Sequence, residues 1–219
     1  MPLLLDEGRQ PACGFMLEGM TMTIRVIEAP APIVLPADLG ATYAGDPMAL
    51  VAIAAATGDL DGPLGSLGRC FGPQTLELVT RDLRGCRLHL PCPPLIGVLS
   101  ISYRAHGSEG TIDPDTYKTE GDSVVFASGS WPKFCLEALI VRYRAGYDVA
   151  DTGAVPEQVR QAIILKATTF LRVLDQSVFQ KAEEVEGVGR FEFALPEQVG
   201  NVVNQAVDQL VGGLRVVRI

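Results

Sequence analysis

The hydrophobic period of this chain changes twice, and that change predicts an α+β protein: a small helical bundle with an inserted antiparallel β-meander lobe. Three observations carry the prediction. Apolar residues fall at helical spacing around residues 46–57 and again over 156–211, while residues 71–147 switch to short alternating runs rich in β-branched and aromatic side chains. The 23 Gly and 15 Pro of the 219 residues punctuate the chain densely, as turns require. With 47% hydrophobic and 20% charged residues, composition is ordinary for a folded domain with its own core, which excludes a disordered chain, a coiled coil and collagen.

Residues 1–29 read as an N-terminal extension, in which only Thr23–Ile27 alternates like a strand. Helical character is expected over 36–57. Asp46 is a natural N-cap, Pro47 suits the first helical position, and Met48–Ala56 forms the body of the helix before a stop at Gly58. Asp59–Gly68 reads as a Gly-rich loop.

Five short strands follow in the 71–147 lobe, over Thr75–Thr80, Cys86–Leu90, Val98–Tyr103, Ser123–Ala127 and Ala138–Tyr143. Pro91–Pro94, His106-Gly107, Asp113-Pro114-Asp115 and Gly129–Pro132 separate them. Pro156 then opens a helix whose stripe is Val159, Ile163, Ala167, Phe170 and Leu174. A second helix starts at Pro196, carries Val199, Val203, Ala206, Val207 and Leu210, and ends at Gly212-Gly213. Residues 212–219 form a β-prone tail. Leu214, Arg215, Val216, Val217, Arg218 and Ile219 have no neighbouring strand in sequence, so they are expected either to dock on a partner or to fold back on the sheet lobe.

The net charge is −8, and residues 1–68 hold eight acids against two bases. A protein that grips duplex DNA through its phosphates needs a basic face, so tight DNA binding is not expected. No stretch approaches the roughly 20 apolar residues of a membrane span. Asp6 and Glu7 stand where a secretory signal carries positive charge, so a soluble protein made in the cytoplasm is expected.

Chemistry is sparse. The phosphate-loop, dinucleotide, nucleophile-elbow and zinc-protease patterns are absent, and no cofactor site is readable. Cys13, Cys70, Cys86, Cys92 and Cys135 include no C-x-x-C pair, and with only His89 and His106 beside them they do not spell a zinc site. Two alternatives to a structural role remain. Asp113, Asp115 and Asp122 could serve a carboxylate-dependent hydrolase or hold a hard cation, although Asp beside Pro is also plain turn chemistry. Arg142 and Arg144, alternating on one strand, could give a small DNA-binding face or pair with acids on the next strand. Tyr103, Trp131, Pro132 and Tyr147, at strand ends and corners, are expected to anchor the sheet lobe by burial.

The order of the motifs resembles a known family. Pro91–Tyr103, Ile112–Tyr117, Ser130-Trp131-Pro132, Val141–Tyr147 and Val155–Ile163 are similar to the Pro-Pro strand start, tyrosine before a hairpin, Trp-Pro, Ala-Gly-Tyr strand end and Val-Pro helix start of head-to-tail connector (adaptor) proteins. These belong to tailed phages and phage-derived gene transfer agents. The resemblance spans roughly residues 30–180. It implies a connector domain over 30–211 and a structural, noncatalytic subunit of a ring, usually of twelve. That ring would sit beneath the portal, meet a tail-completion (stopper) protein on its other face, and pass DNA through its channel in the neck of the particle. Leu214–Ile219 would then be the segment that docks on the portal.

Overall fold

The computed structural model describes residues 13–17, 20–81, 86–105, 108–127, 138–175, 182–185, 189–192 and 196–216. The chain divides into two compact units: residues 1–31 with 72–154, and residues 32–71 with 155–219. In chain order the first unit is thus inserted between the two halves of the second. The class is α+β, as the change of period predicts.

The first unit is built from strands. They are β1 (Cys13–Leu17), β2 (Met20–Glu28), β3 (Gln74–Thr80), β4 (Arg87–His89), β5 (Leu95–Ala105), β6 (Ser108–Thr111), β7 (Tyr117–Glu120), β8 (Ser123–Phe126) and β9 (Ala138–Ala145). All five expected strands are present, as β3, β4, β5, β8 and β9. Every pairing is antiparallel, but the order is not purely sequential: one sheet runs β1-β2-β3-β9-β5-β6 and a second runs β4-β8-β7. Hairpins between neighbours coexist with the placement of β9 between β3 and β5. Residues 20–28, read from sequence as part of an extension, supply the strand beside β3.

Two adjacent rows of the larger sheet show how the sequence sets its register. Ile24, Leu78, Val141 and Ile101 lie side by side across β2, β3, β9 and β5, and all four are buried. The next row is Arg25, Glu77, Arg142 and Ser100. A slip of one residue would exchange an aliphatic row for a charged one, so the alternation specifies a single pairing. The core continues through Leu76, Leu139 and Tyr143, whose hydroxyl donates to the Pro91 carbonyl at 2.9 Å. At the end of β9, Gly146 adopts φ 120–125° territory closed to most residues (φ 124°), and a Cβ there would strike the Gly72 carbonyl.

The second unit contains α1 (Pro47–Leu60), α2 (Glu157–Asp175), a hairpin of β10 (Ala182–Val185) and β11 (Gly189–Glu192), and α3 (Pro196–Val211). Asp46 caps α1 as expected, its Oδ1 accepting the Met48 N–H at 2.8 Å. The helix runs past Gly58 to Leu60, whose side chain is buried; that packing outweighs the roughly 1 kcal/mol that an interior glycine costs. Residues 36–43, expected to be helical, form two short 3-10 turns, Pro36–Leu39 and Ala41–Tyr43, separated by Gly40 at φ 120°.

Helix α2 packs on both α1 and α3. Its buried residues are Val159, Ala162, Ile163, Ala167 and Leu171, while Phe170 and Leu174, expected in the same stripe, are exposed. Polar ties surround the packing: Lys166 pairs with Asp59, and Arg160 donates to the Ile33 carbonyl at 3.2 Å.

Candidate functional surfaces

The expected carboxylate cluster is dispersed into backbone duties. Asp113 Oδ1 accepts the Asp115 N–H at 3.1 Å and caps the 3-10 turn Pro114–Thr116, whereas Asp122 Oδ1 accepts the Leu95 N–H at 3.1 Å. Asp113 also reaches Tyr117 electrostatically. Burial first, and the Asp113 charge second, push the Tyr117 hydroxyl above its ordinary pKa of 10.0. No group of three or more His, Cys, Asp or Glu among the described residues could hold a metal ion.

The two arginines of β9 are engaged. Arg142 Nε donates to Glu77 Oε2 at 2.7 Å, and Arg25 from β2 reaches the other oxygen of the same carboxylate. Glu77 has only 2% of its side chain exposed, so the acid is held between two half-exposed cations in one cross-strand row. Arg144 lies 3.8 Å from Asp148, and Arg104 pairs with Glu109. Each basic residue on this face therefore has an acid beside it. A face so balanced has no net attraction for phosphates.

Of the four expected anchors, Tyr103 and Tyr147 are half-buried, and Trp131 and Pro132 lie outside the described residues. The Tyr103 ring covers Gly110 on β6, directly opposite in register, where a Cβ would collide with it.

The C-terminal segment is tied down at its start. Asp61 Oδ1 accepts the Phe71 N–H at 2.6 Å and Gly62 N–H donates to the Arg69 carbonyl at 2.8 Å, which closes the Gly-rich segment into a compact loop. Arg69 Nε donates to the Leu214 carbonyl at 2.7 Å, and Val216 N–H donates to the Leu67 carbonyl at 3.0 Å. Leu214 and Val216 thus sit on a loop of their own helical unit. Val217, Arg218 and Ile219 lie outside the described residues.

One surface was missed from sequence. From Pro47 to Ala56 the chain carries no polar side chain, and helical spacing sends only part of that run inward. Ala49, Ala52, Ile53, Ala56 and Leu60 are buried, whereas Met48, Leu50, Val51, Ala54 and Ala55 are exposed. The uniform apolarity was itself the signal, because a surface helix packed on one side ordinarily shows a polar stripe on the other.

No family model matches the chain, and no curated protein matches its sequence. Solved particle structures do match it. A chain from the neck of an empty gene transfer agent particle, computed with C6 symmetry, aligns at 19% identity and a TM-score of 0.55, covering 90% of this chain and 96% of that one. A chain from the neck of the native particle, computed with C12 symmetry, aligns at 17% identity and a TM-score of 0.55 with the same coverage. The chain has the fold of a gene transfer agent neck protein. A third match, in the virion of the native particle, gives a TM-score of 0.57 at 17% identity, again over 90% of this chain and 96% of that one. The fold agrees with the connector resemblance carried by the motifs from Pro91 to Ile163. No helix among the described residues is long and apolar enough to cross a membrane.

Proposed function

We propose that this protein is a structural component of the neck of a phage-like particle: a head-to-tail connector (adaptor) subunit that closes into a ring of copies of itself. In this reading the ring sits beneath the capsid portal, meets a tail-completion protein on its far side, and surrounds the path of the DNA. Its work is geometric and needs no catalytic group. The observation that carries the reading is the near end-to-end match to neck chains, 90% of this chain against 96% of theirs, in assemblies computed with C6 and C12 symmetry. The ordered motifs point the same way independently. Spent carboxylates at Asp113, Asp115 and Asp122 fit turns better than hydrolysis, and the neutralised Arg142 and Arg144 fit a passage that DNA slides past better than one that grips it.

Within the proposal, residues 30–211 are the connector domain, and the portal-docking role assigned to Leu214–Ile219 falls on its final residues, Val217, Arg218 and Ile219, since Leu214 and Val216 are held by the 61–71 loop. The test is genetic and visual. Deleting the gene from a producing cell should leave DNA-filled heads without tails, and the purified protein should bind those heads. Normal tailed particles from the deletion strain would refute the assignment.

A further inference from the structure

We infer that the exposed face of α1 is the surface on which a second copy of this chain seats the outward face of its α3, so that copies join head to tail. The inference rests on the ring reading proposed above and names the contact that closes it.

Two outward helix faces carry the argument. On α1, Pro47, Met48, Leu50, Val51, Ala54, Ala55 and Gly58 occupy the side opposite the buried Ala49, Ala52 and Ala56, and not one of them is polar. Leu50 and Val51 are 55% and 59% exposed. A contiguous apolar face of this length is not maintained against water without a partner. On α3, Asn201, Val202, Gln205 and Gln209 lie opposite the buried Val207 and Val211; all four are exposed and none is charged. Val202 is 66% exposed at its centre.

The placement of these faces selects the occupant. Because α2 packs on both α1 and α3, the two faces look outward from the two sides of one three-helix layer. A heterologous contact needs two different patches on each copy, displaced around the subunit, so that each interface leaves one patch free for the next copy. An isologous contact would need only one. The chemistry agrees, since the cores of protein interfaces are depleted in charge, and in a chain with 20% charged residues these two faces carry none. Ala54, Ala55 and Gly58 leave shallow ground on α1 for Val202, while the stems of Gln205 and Gln209 can lie along the alanines and keep their amides at the rim.

The test uses the full chain and two surface variants, one for each face: Val51→Lys with Ala54→Lys on α1, and Val202→Lys with Gln205→Lys on α3. All four positions are exposed, and unchanged far-UV circular dichroism melts will verify that both variants fold; Val51→Asp with Val202→Asp in the same backgrounds repeats the test with the opposite charge. Sedimentation velocity reads the outcome. The wild type should form a closed oligomer, and each variant alone should be monomeric. Mixed in equal amounts the two variants should give a dimer that grows no further, because one intact α1 face and one intact α3 face remain. Persistence of the wild-type oligomer in either variant would overturn this contact while leaving the ring intact. Self-association of the α3 variant alone would show an α1-to-α1 contact instead. A wild type that stays monomeric at every concentration would count against the ring reading itself.

Discussion

Glu77 on β3 stands directly opposite Arg142 on β9, with Arg142 Nε 2.7 Å from Glu77 Oε2. Arg25 approaches from the other side, so a single buried carboxylate joins three strands through their side chains as well as their backbones. Glu77→Ala leaves two cations facing each other across a gap. Loss of one member of a fully buried pair costs about 3–5 kcal/mol, and here roughly 2 kcal/mol is expected because both arginines remain half in water. Thermal unfolding should shift down by about 4–8 °C. Glu77→Gln, which keeps the shape without the charge, should lose less. A melt unchanged in both variants would show that the row is electrostatic decoration.

The Tyr103–Gly110 pair makes a second prediction about the edge of the same sheet. The ring covers the bare backbone of an edge strand, substituting for the side chain that Gly110 lacks. Tyr103→Ala should cost about 1 kcal/mol and speed amide exchange over β6. Gly110→Val forces the ring away and should have the same effect. Combined, the two changes should cost less than their sum, since each removes one contact. Strict additivity would mean that the ring and the glycine are independent.

How much of this was legible in sequence depended on whether the signal was local. The Asp46-Pro47 start of α1 and the five strands were readable because caps and period-two runs are set by neighbours in the chain. The position of β9 between β3 and β5 was not, since pairing depends on which apolar rows meet across the sheet. Glu77 gave no sign of its role either; it sits in a run of alternating residues whose outward side is ordinarily wet. The helix expected over 36–43 failed at Gly40, where φ 120° breaks the run that Pro36 and Asp38 suggest. Phe170 and Leu174 fit the stripe of α2 by spacing, yet they are exposed, because periodicity reports a face and not the length over which a neighbour covers it.

Tyr117 should titrate late. Burial and the nearby Asp113 charge both favour its neutral form, so its folded pKa lies above the ordinary tyrosine value. The contribution to stability is complete below about pH 10 and is lost as pH rises through the folded value, where the folded state must ionise against that bias. In an ultraviolet titration of the five tyrosines, Tyr117→Phe should remove a late component. Asp113→Asn keeps an acceptor for the Asp115 N–H but removes the charge, and should move that component part of the way back. A titration curve that Asp113→Asn leaves in place would assign the shift to burial alone.

The C-terminal segment offers the sharpest separation between folding and docking. Leu214 and Val216 bond to Arg69 and Leu67 through main-chain groups, so their removal strips the 61–71 loop of two partners. Deleting residues 214–219 should therefore destabilise the helical unit by roughly 1–2 kcal/mol, at about 1 kcal/mol for each lost hydrogen bond. Arg69→Ala should reproduce part of that loss, since the Leu214 carbonyl keeps access to water. Deleting only residues 217–219 leaves both bonds in place and should not change the melt. The shorter deletion is then the clean probe of docking: if the tail engages the portal, it should abolish co-sedimentation with portal-containing heads while the fold is intact. Heads that still capture the shortened protein would place the docking contact elsewhere on the chain, and a full deletion without effect on the melt would show that the Arg69 and Leu67 bonds contribute nothing net.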